Sequence, residues 1–184
     1  MHDAVRKTLG HYEAFWPSRV IDLVTWDEGP LRAAFPDFRV ARVRPHDVSD
    51  PWIFASLGSS IVDCGSGPRH EFVLTAPADS SRFVETVALA FYFHATRFRL
   101  GVGSIVSIGR PWADESICDR LLVSLPYPFG PALEWTSNGV RVLWLLPISA
   151  AEERFALTHG VEALERRLEE KRVDAVAVRR ASVV

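Results

Sequence analysis

Two apolar runs that face each other across a turn constrain the fold of this chain more than any other feature. The first run is WIFASL at residues 52–57, and the second is EFVLT at residues 71–75. Both are rich in the β-branched and aromatic side chains that fit a pleated sheet, and the Gly65-Ser66-Gly67-Pro68 segment can continue neither run. The pattern predicts a central hairpin, in which Gly58 marks a bulge or a close approach of the backbone. The side chains expected to share its buried face are Leu57, Ile61, Val62, Phe72 and Leu74.

The remaining segments carry periodic patterns that could cover this hairpin. Apolar residues at helical spacing predict helices near residues 2–16, 80–100, 150–159 and 161–171. Shorter apolar or alternating runs predict strands at residues 19–26, 38–44, 104–108, 117–124 and 140–146, with an edge strand at 173–178. The 80–100 segment is apolar nearly all round, so we expect that helix to lie across the sheet. Ser149 and Glu152 have the spacing of a capping box at a helix start.

Length and composition favour one globular domain. The chain has 184 residues, of which 48% are hydrophobic and 24% are charged. We predict a single α+β domain over residues 1–184, with a mixed, twisted β-sheet covered by helices. Residues 1–36 form an N-terminal helix and strand extension, and residues 37–184 form the core.

Charge and hydropathy exclude several classes of partner. The net charge is −2 and the pI is about 6.3, with basic residues scattered among acids, so we predict no nucleic-acid partner. No apolar run approaches the roughly 20 residues of a membrane span, and the N-terminus lacks the apolar core of a signal peptide. These patterns predict no membrane association and a cytoplasmic location.

Motifs for metal, cofactor or nucleophilic chemistry are missing from the sequence. Cys64 and Cys118 lie far apart, with no CxxC spacing, and are interpreted as reduced structural residues. The Gly101-Val102-Gly103 run lacks the third glycine of a dinucleotide fingerprint and follows a helix instead of a strand. No serine fits the GxSxG pattern. We therefore predict no metal, no cofactor and no catalytic residue.

Glu71 and the adjacent His70 are the weak candidates for an alternative, enzymatic function. Glu71 stands in the hairpin beside apolar residues, and the competing interpretation is that it points to solvent or pairs with an arginine such as Arg69 or Arg110. His70 begins a strand and could face solvent. His94 falls on the apolar face of the 80–100 helix, which favours a hydrogen-bonded core histidine over a base.

Several motifs, taken in order, resemble the Suppressor of fused (SUFU) domain family over roughly residues 37–184. The core hairpin carries Ser56-Leu57-Gly58-Ser59-Ser60 followed by His70-Glu71-Phe72-Val73-Leu74. The later matching stretches are Gly103-Ser104-Ile105 with Gly109-Arg110-Pro111, Leu143 to Pro147 with Ser149 to Glu153, His159-Gly160 with Leu164, and Val173-Asp174 with Arg179-Arg180. The resemblance implies a SUFU-like α+β fold.

The same resemblance implies a non-catalytic protein-binding module of the bacterial, single-domain type. Bacterial relatives of this kind are thought to include immunity proteins that neutralise polymorphic toxins, so the resemblance implies a protein partner, with a toxin as the candidate. The rival hypothesis is an enzyme of unrecognised type that uses Glu71 and His70. The sequence leaves the oligomeric state open.

An acidic surface with aromatic anchors is the predicted partner site, because many toxins that attack nucleic acid are basic. Its residues are Trp112, Asp114, Glu115, Glu134 and Trp135. They come from two loops that we expect to lie at the same end of the sheet. The alternative is that each tryptophan folds back as a lid over the core.

Overall fold

Strands from the whole length of the chain form one mixed sheet. The computed structural model describes residues 2–26, 30–62 and 68–184. In this part of the chain the strands are β1 (Ile21–Val24), β2 (Arg39–Val43), β3 (Trp52–Leu57), β4 (Arg69–Ala76), β5 (Ile105–Ser107), β6 (Cys118–Ser124) and β7 (Val140–Ser149). Their order across the sheet is β1-β2-β3-β4-β7-β6-β5. The central pair, β4 and β7, is parallel and every other neighbouring pair is antiparallel, which confirms the predicted α+β fold with a mixed sheet.

The predicted hairpin is present as the antiparallel β3–β4 pair, in which Phe54 lies opposite Leu74. Gly65, Ser66 and Gly67 of its predicted turn lie outside the described residues. Gly58 has a φ of 110°, and a Cβ there would lie 3.4 Å from the Cα of Phe38, so this position is a close backbone approach as expected.

The predicted shared face of the hairpin was partly wrong. Phe72, Leu74 and Val62 belong to one core cluster, whereas Leu57 belongs to the cluster on the opposite face and Ile61 is 38% exposed. Strand alternation explains Leu57, because it lies three residues beyond Phe54 and therefore points away from the face that Phe54 and Leu74 share.

Helices cover both faces of the sheet. They are α1 (Asp3–Phe15), α2 (Pro30–Ala34), α3 (Ser81–Thr96), α4 (Pro131–Glu134), α5 (Ala150–His159) and α6 (Val161–Glu170), with a 3-10 turn at Ser59–Ile61. α3 lies across the sheet and buries Phe83, Val87 and Phe91 in one cluster, as expected of a helix that is apolar nearly all round. α1, α5 and α6 supply side chains to the cluster on the other face. None of the helices in the described residues is long and apolar enough to cross a membrane.

Local signals define most helix ends. The Ser149–Glu152 capping box is present, and α5 occupies the predicted residues 150–159. α3 ends four residues earlier than predicted, because the Leu100 N–H donates to Nδ1 of His94 at 3.0 Å and turns the intervening residues back toward the helix.

The predicted edge strand at residues 173–178 is wrong. Instead of pairing with the sheet, this segment forms turns, in which the Asp174 carboxylate accepts a hydrogen bond from the Val176 N–H at 2.9 Å. A few residues later, Arg180 is 7% exposed at its side chain and binds both carboxylate oxygens of the buried Glu152, at 2.7 and 2.8 Å. Side-chain hydrogen bonds and an ion pair therefore hold the tail in place, instead of the strand pairing that the alternating sequence predicted.

Candidate binding groove beside helix α6

The two loops of the predicted partner site lie at opposite ends of β6. Residues 108–117 precede β6, whereas residues 125–139 join β6 to β7. A strand of seven residues such as β6 spans roughly 20 Å. The expectation that the two loops share one end of the sheet was therefore wrong, because the antiparallel order of β5, β6 and β7 places successive connections at alternate ends.

Trp112 is a core residue and cannot serve as an exposed anchor. It is 1% exposed, its Nε1–H donates to Oγ of Ser116 at 3.0 Å, and its ring centroid lies 5.5 Å from that of Phe83. The alternative interpretation, a lid over the core, applies to this tryptophan. Its neighbours Asp114 and Glu115 are exposed and pair with Arg82 and Arg179, respectively.

The other half of the predicted site keeps an accessible aromatic side chain. Trp135 is 47% exposed, with the Arg141 guanidinium 5.3 Å from its ring centroid. Glu134 forms an ion pair with the same guanidinium at 2.7 Å. Whether either half contacts a partner stays a prediction.

Glu71 neither faces solvent nor pairs with an arginine, so that interpretation was wrong. Its carboxylate is fully buried and accepts hydrogen bonds from the N–H groups of Gly58, Ser59 and Ser60 at 2.9 to 3.1 Å. The hydroxyls of Ser56 and Ser60 donate to it at 2.5 and 2.7 Å. Burial raises the pKa of Glu71, while these hydrogen bonds act in the opposite direction. All these contacts hold the turn after β3 in place.

His70, the other candidate for enzymatic chemistry, is half-buried and lies 3.0 Å through Nδ1 from the Leu100 carbonyl oxygen. Burial lowers the pKa of His70, and burial together with the neighbouring His70 lowers the pKa of His94 to about 4. The prediction that His94 is a hydrogen-bonded core histidine is confirmed. In the described residues, no group of three or more His, Cys, Asp or Glu side chains could hold a metal ion.

A groove of about 580 Å³ opens between α6, the chain that follows it and the C-terminal part of β6. Apolar side chains from β7, α6 and the tail line it together with charged side chains of α6. Its lining residues are Ser124, Tyr127, Pro128, Trp144, Leu146, Glu162, Glu165, Arg166, Leu168, Glu169, Arg172, Val173 and Ala175. Tyr127 is 62% exposed, which makes it an accessible aromatic side chain in this groove.

Trp144 lines the groove, but its indole N–H is not exposed there. The residue is 7% exposed, and its Nε1–H, which is closed to solvent, has no acceptor within hydrogen-bond distance in the part of the chain that the structure describes. An indole N–H that loses water without gaining a partner costs on the order of 1–3 kcal/mol. Because water does not reach this atom, a ligand that enters the groove does not meet it either.

Burial and nearby carboxylates act in the same direction on the Tyr127 hydroxyl. Burial raises the pKa of Tyr127 first, followed by the negative charges of Glu165, Glu134, Glu169 and Glu162. Glu134 of the predicted partner site therefore acts on the same region as the acids of α6. The Oγ of Ser124 donates a hydrogen bond to Glu165 and fixes this carboxylate beside β6.

Sequence reasoning did not identify this groove. Trp144 lies within an apolar strand run and Tyr127 within a proline-rich segment, and neither pattern predicts a groove. One signal was available, because Pro126 and Pro128 flank Tyr127 and hold an aromatic residue in a segment that cannot form regular structure. The proline-rich segment lies beside α6 because of tertiary packing, which the local sequence does not show.

Comparison with known proteins identifies the family of this chain. Residues 36–181 match the family described as Suppressor of fused protein (SUFU). The crystal structure of a SUFU homolog from Neisseria gonorrhoeae FA 1090 is 36% identical, with a TM-score of 0.89, and the match covers 99% of this chain and 97% of that one. The chain therefore belongs to the Suppressor of fused family, which is known for protein interaction and is not a known enzyme family. A search of curated protein sequences finds no match.

More distant structures share the fold. A chain of the Sufu-Fu complex is 15% identical with a TM-score of 0.68, and the match covers 98% of this chain and 92% of that one. Drosophila Suppressor of Fused is 16% identical with a TM-score of 0.62, and the match covers 98% of this chain but 51% of that one.

Proposed function

We propose that this chain is a non-catalytic protein-binding module whose partner occupies the groove beside α6. The observation that carries the proposal is an open, largely apolar groove of about 580 Å³ in which the aromatic side chain of Tyr127 is 62% exposed. Apolar contact area around an exposed aromatic side chain suits the side chains of a protein partner. A structural relative forms the Sufu-Fu complex, which supports a protein as the ligand.

The more specific proposal is an immunity protein that binds and neutralises a polymorphic toxin in the cytoplasm. A rigid sheet with helices on both faces supports this function, because a preorganised surface binds without a large ordering cost. An enzymatic function at Glu71 receives less support, since the known contacts of its carboxylate fix the turn at residues 58–60.

Affinity capture with a matched pair of variants tests the binding function. The tagged full chain, its Tyr127→Ala variant and its Phe98→Ala variant are compared in pull-downs from the native organism. Tyr127 and Phe98 are each 62% exposed, but only Tyr127 lines the groove, so Phe98→Ala controls for loss of an exposed aromatic side chain. We expect the wild type and Phe98→Ala to retain the same partner, and Tyr127→Ala to lose it through a deficit of about 2 kcal/mol.

Growth assays then test the immunity function. Co-expression of the wild-type chain with the captured partner should restore growth of a host that the partner alone inhibits, and Tyr127→Ala should restore it poorly. A partner that is not toxic would contradict neutralisation and leave the binding function intact. Equal capture by both variants would show that the groove is not the binding site.

A further inference from the structure

We propose that two copies of this chain associate through strand β1, which pairs antiparallel with β1 of the second copy around a two-fold axis at Asp22, so that the two sheets join. The surface involved is distinct from the groove beside α6, because β1 is an edge strand, whereas the strands that line the groove are β6 and β7. Three features of β1 carry the inference: its unpaired backbone, the symmetry of its sequence and its exposed apolar side chains.

The backbone of β1 presents one free row of hydrogen-bonding groups. β1 pairs with β2 on one side, where the Arg44 N–H donates to the Val20 carbonyl at 2.9 Å. Because hydrogen bonds alternate along an antiparallel pair, the even-numbered residues of β1 bond toward β2, and the N–H and C=O groups of Ile21 and Leu23 point to the open edge. Within the described residues these outward groups have no hydrogen-bond partner. Such a row is a template for a further strand.

The sequence of this edge has the same pattern in both directions. Residues 20–24 read Val-Ile-Asp-Leu-Val, with the one charged residue at the centre. An antiparallel pair centred on Asp22 therefore places Val20 opposite Val24 of the second copy, and Ile21 opposite Leu23 of the second copy. The outward backbone groups of Ile21 and Leu23 then face each other and exchange hydrogen bonds. A two-fold interface requires this kind of self-complementarity.

Side chains on both faces of β1 favour the same pairing. Val20 is 56% exposed and Leu23 is 44% exposed. The two lie on opposite faces of the strand, since Ile21 packs with the cluster that includes α1, whereas Val24 packs with the α3 cluster. In the proposed pair each exposed side chain gains an apolar cross-strand neighbour on its own face. Cross-strand pairs of this kind stabilise a sheet.

The charges around Asp22 are compatible with a two-fold axis there. Two aspartates directly opposite each other would repel. Each Asp22 carboxylate is, however, paired with two guanidinium groups of its own chain, Arg42 at 3.2 Å and Arg44 at 3.0 Å. The Arg44 side chain is 52% exposed and forms no other ion pair in the part of the chain that the structure describes. The arginines of both copies therefore compensate the two carboxylates at the axis.

Sedimentation velocity of the full chain over a range of concentrations tests the association. We expect the wild type to form dimers at high concentration. Leu23→Lys places a charge opposite Ile21 of the second copy and should raise the dimer dissociation constant roughly tenfold or more. Leu157→Lys is the matched control, because Leu157 is 77% exposed on α5, and it should change the constant by less than about twofold. A wild type that is monomeric at every concentration, or equal association of the two variants, would overturn the inference.

Cysteine cross-linking tests the register and does not depend on Leu23→Lys folding. Asp22 is the residue that faces its own counterpart, at a Cα separation of roughly 4.5 Å, which a disulfide can span. Leu23 is offset from its counterpart by two residues, roughly 7 Å along the strand, and lies out of reach. After mild oxidation, Asp22→Cys should form a disulfide-linked dimer on a non-reducing gel. The wild type and Leu23→Cys, which keep the same native cysteines, should not.

The outcomes separate this inference from the proposed binding function. No cross-link in Asp22→Cys, or equal cross-linking of Asp22→Cys and Leu23→Cys, would overturn the two-fold axis at Asp22. Capture of a partner through Tyr127 by a chain that sediments only as a monomer would overturn the dimer and leave the binding function intact. A dimer that cross-links through Asp22→Cys would stand even if no partner is captured through Tyr127.

Discussion

Glu71 fixes a turn through hydrogen bonds that cross the hairpin. Its carboxylate accepts from three consecutive backbone N–H groups, those of residues 58–60, and from two serine hydroxyls. The Ser56 hydroxyl also accepts a hydrogen bond from the Phe72 N–H at 2.8 Å. The backbone carbonyl of Ser56 accepts a hydrogen bond from the Tyr12 hydroxyl at 3.2 Å. One side chain of β4 therefore joins β3, the turn after it and, through Ser56, helix α1.

Replacing Glu71 with Gln should destabilise the chain by about 3 kcal/mol, because an amide has one acceptor oxygen and presents an NH₂ group to N–H donors that then lack a partner. Urea unfolding measures the loss. Glu170→Gln, an exposed change on α6, should shift the free energy of unfolding by less than about 0.5 kcal/mol. Equal midpoints for the two variants would contradict a structural role for Glu71.

Residue roles were predictable when their partners were near in sequence. The Ser149–Glu152 capping box spans three residues, and His94 was recognised from its helical spacing. Glu71 was misread because its acceptor sites are filled by groups 11 to 15 residues away, and Trp112 because its ring packs against Phe83 of α3. Neither contact leaves a periodic trace in the sequence.

At the scale of elements, the C-terminal tail is fastened by an ion pair instead of by sheet pairing. Arg180 donates to both oxygens of Glu152 and to the Pro147 carbonyl, and the Val183 N–H also donates to Glu152. Burial raises the pKa of Glu152, but the hydrogen bonds from Arg180 and the Ser149 N–H outweigh it, so the pKa lies below its ordinary value of 4.5. The carboxylate is therefore charged when the tail is bound.

Arg180→Met should cost about 3–5 kcal/mol near pH 7, because it leaves the Glu152 carboxylate buried without its cation. Arg179→Met is the matched control: this neighbour is 74% exposed, and its pair with Glu115 should contribute at most about 1 kcal/mol. Urea unfolding of both variants measures the difference. Similar losses would contradict a special role for Arg180.

The pH dependence of the same comparison has a defined sign. Since the pKa of Glu152 is depressed in the folded chain, the ion pair contributes fully above about 4.5 and is lost as the pH falls through the folded value. The gap between the wild type and Arg180→Met should therefore narrow in acid. A gap that widens below pH 4.5 would rule out the Glu152 charge as its cause.

Element boundaries followed from the sequence better than element positions did. The helix at 150–159 and the strands of the central hairpin were predicted because capping residues and apolar periodicity are local. Loops 108–117 and 125–139 lie at opposite ends of β6 because of the order of β5, β6 and β7 in the sheet. Local periodicity does not encode that order. For this reason the sequence did not predict that the two halves of the partner site lie apart, or that a groove lies beside α6.

At the scale of the whole molecule, one sheet separates two apolar clusters. Leu74 packs with the α3 cluster, while its neighbour Val73 packs with the cluster that includes α1 and α6. In β7, the adjacent residues Leu143 and Trp144 likewise belong to opposite clusters. Because the same central strands hold both clusters, neither can lose its packing while the other keeps an intact sheet.

Leu74→Ala tests this coupling. Removing the buried side chain should cost about 2–5 kcal/mol, and far-UV circular dichroism and tryptophan fluorescence should show a single, coincident transition that moves to lower denaturant for both signals. Leu157→Ala, at a position 77% exposed on α5, should leave both midpoints within about 0.5 kcal/mol of the wild type. Separate transitions for the two signals, with only one of them displaced by Leu74→Ala, would show that the clusters unfold independently and would contradict the predicted single domain.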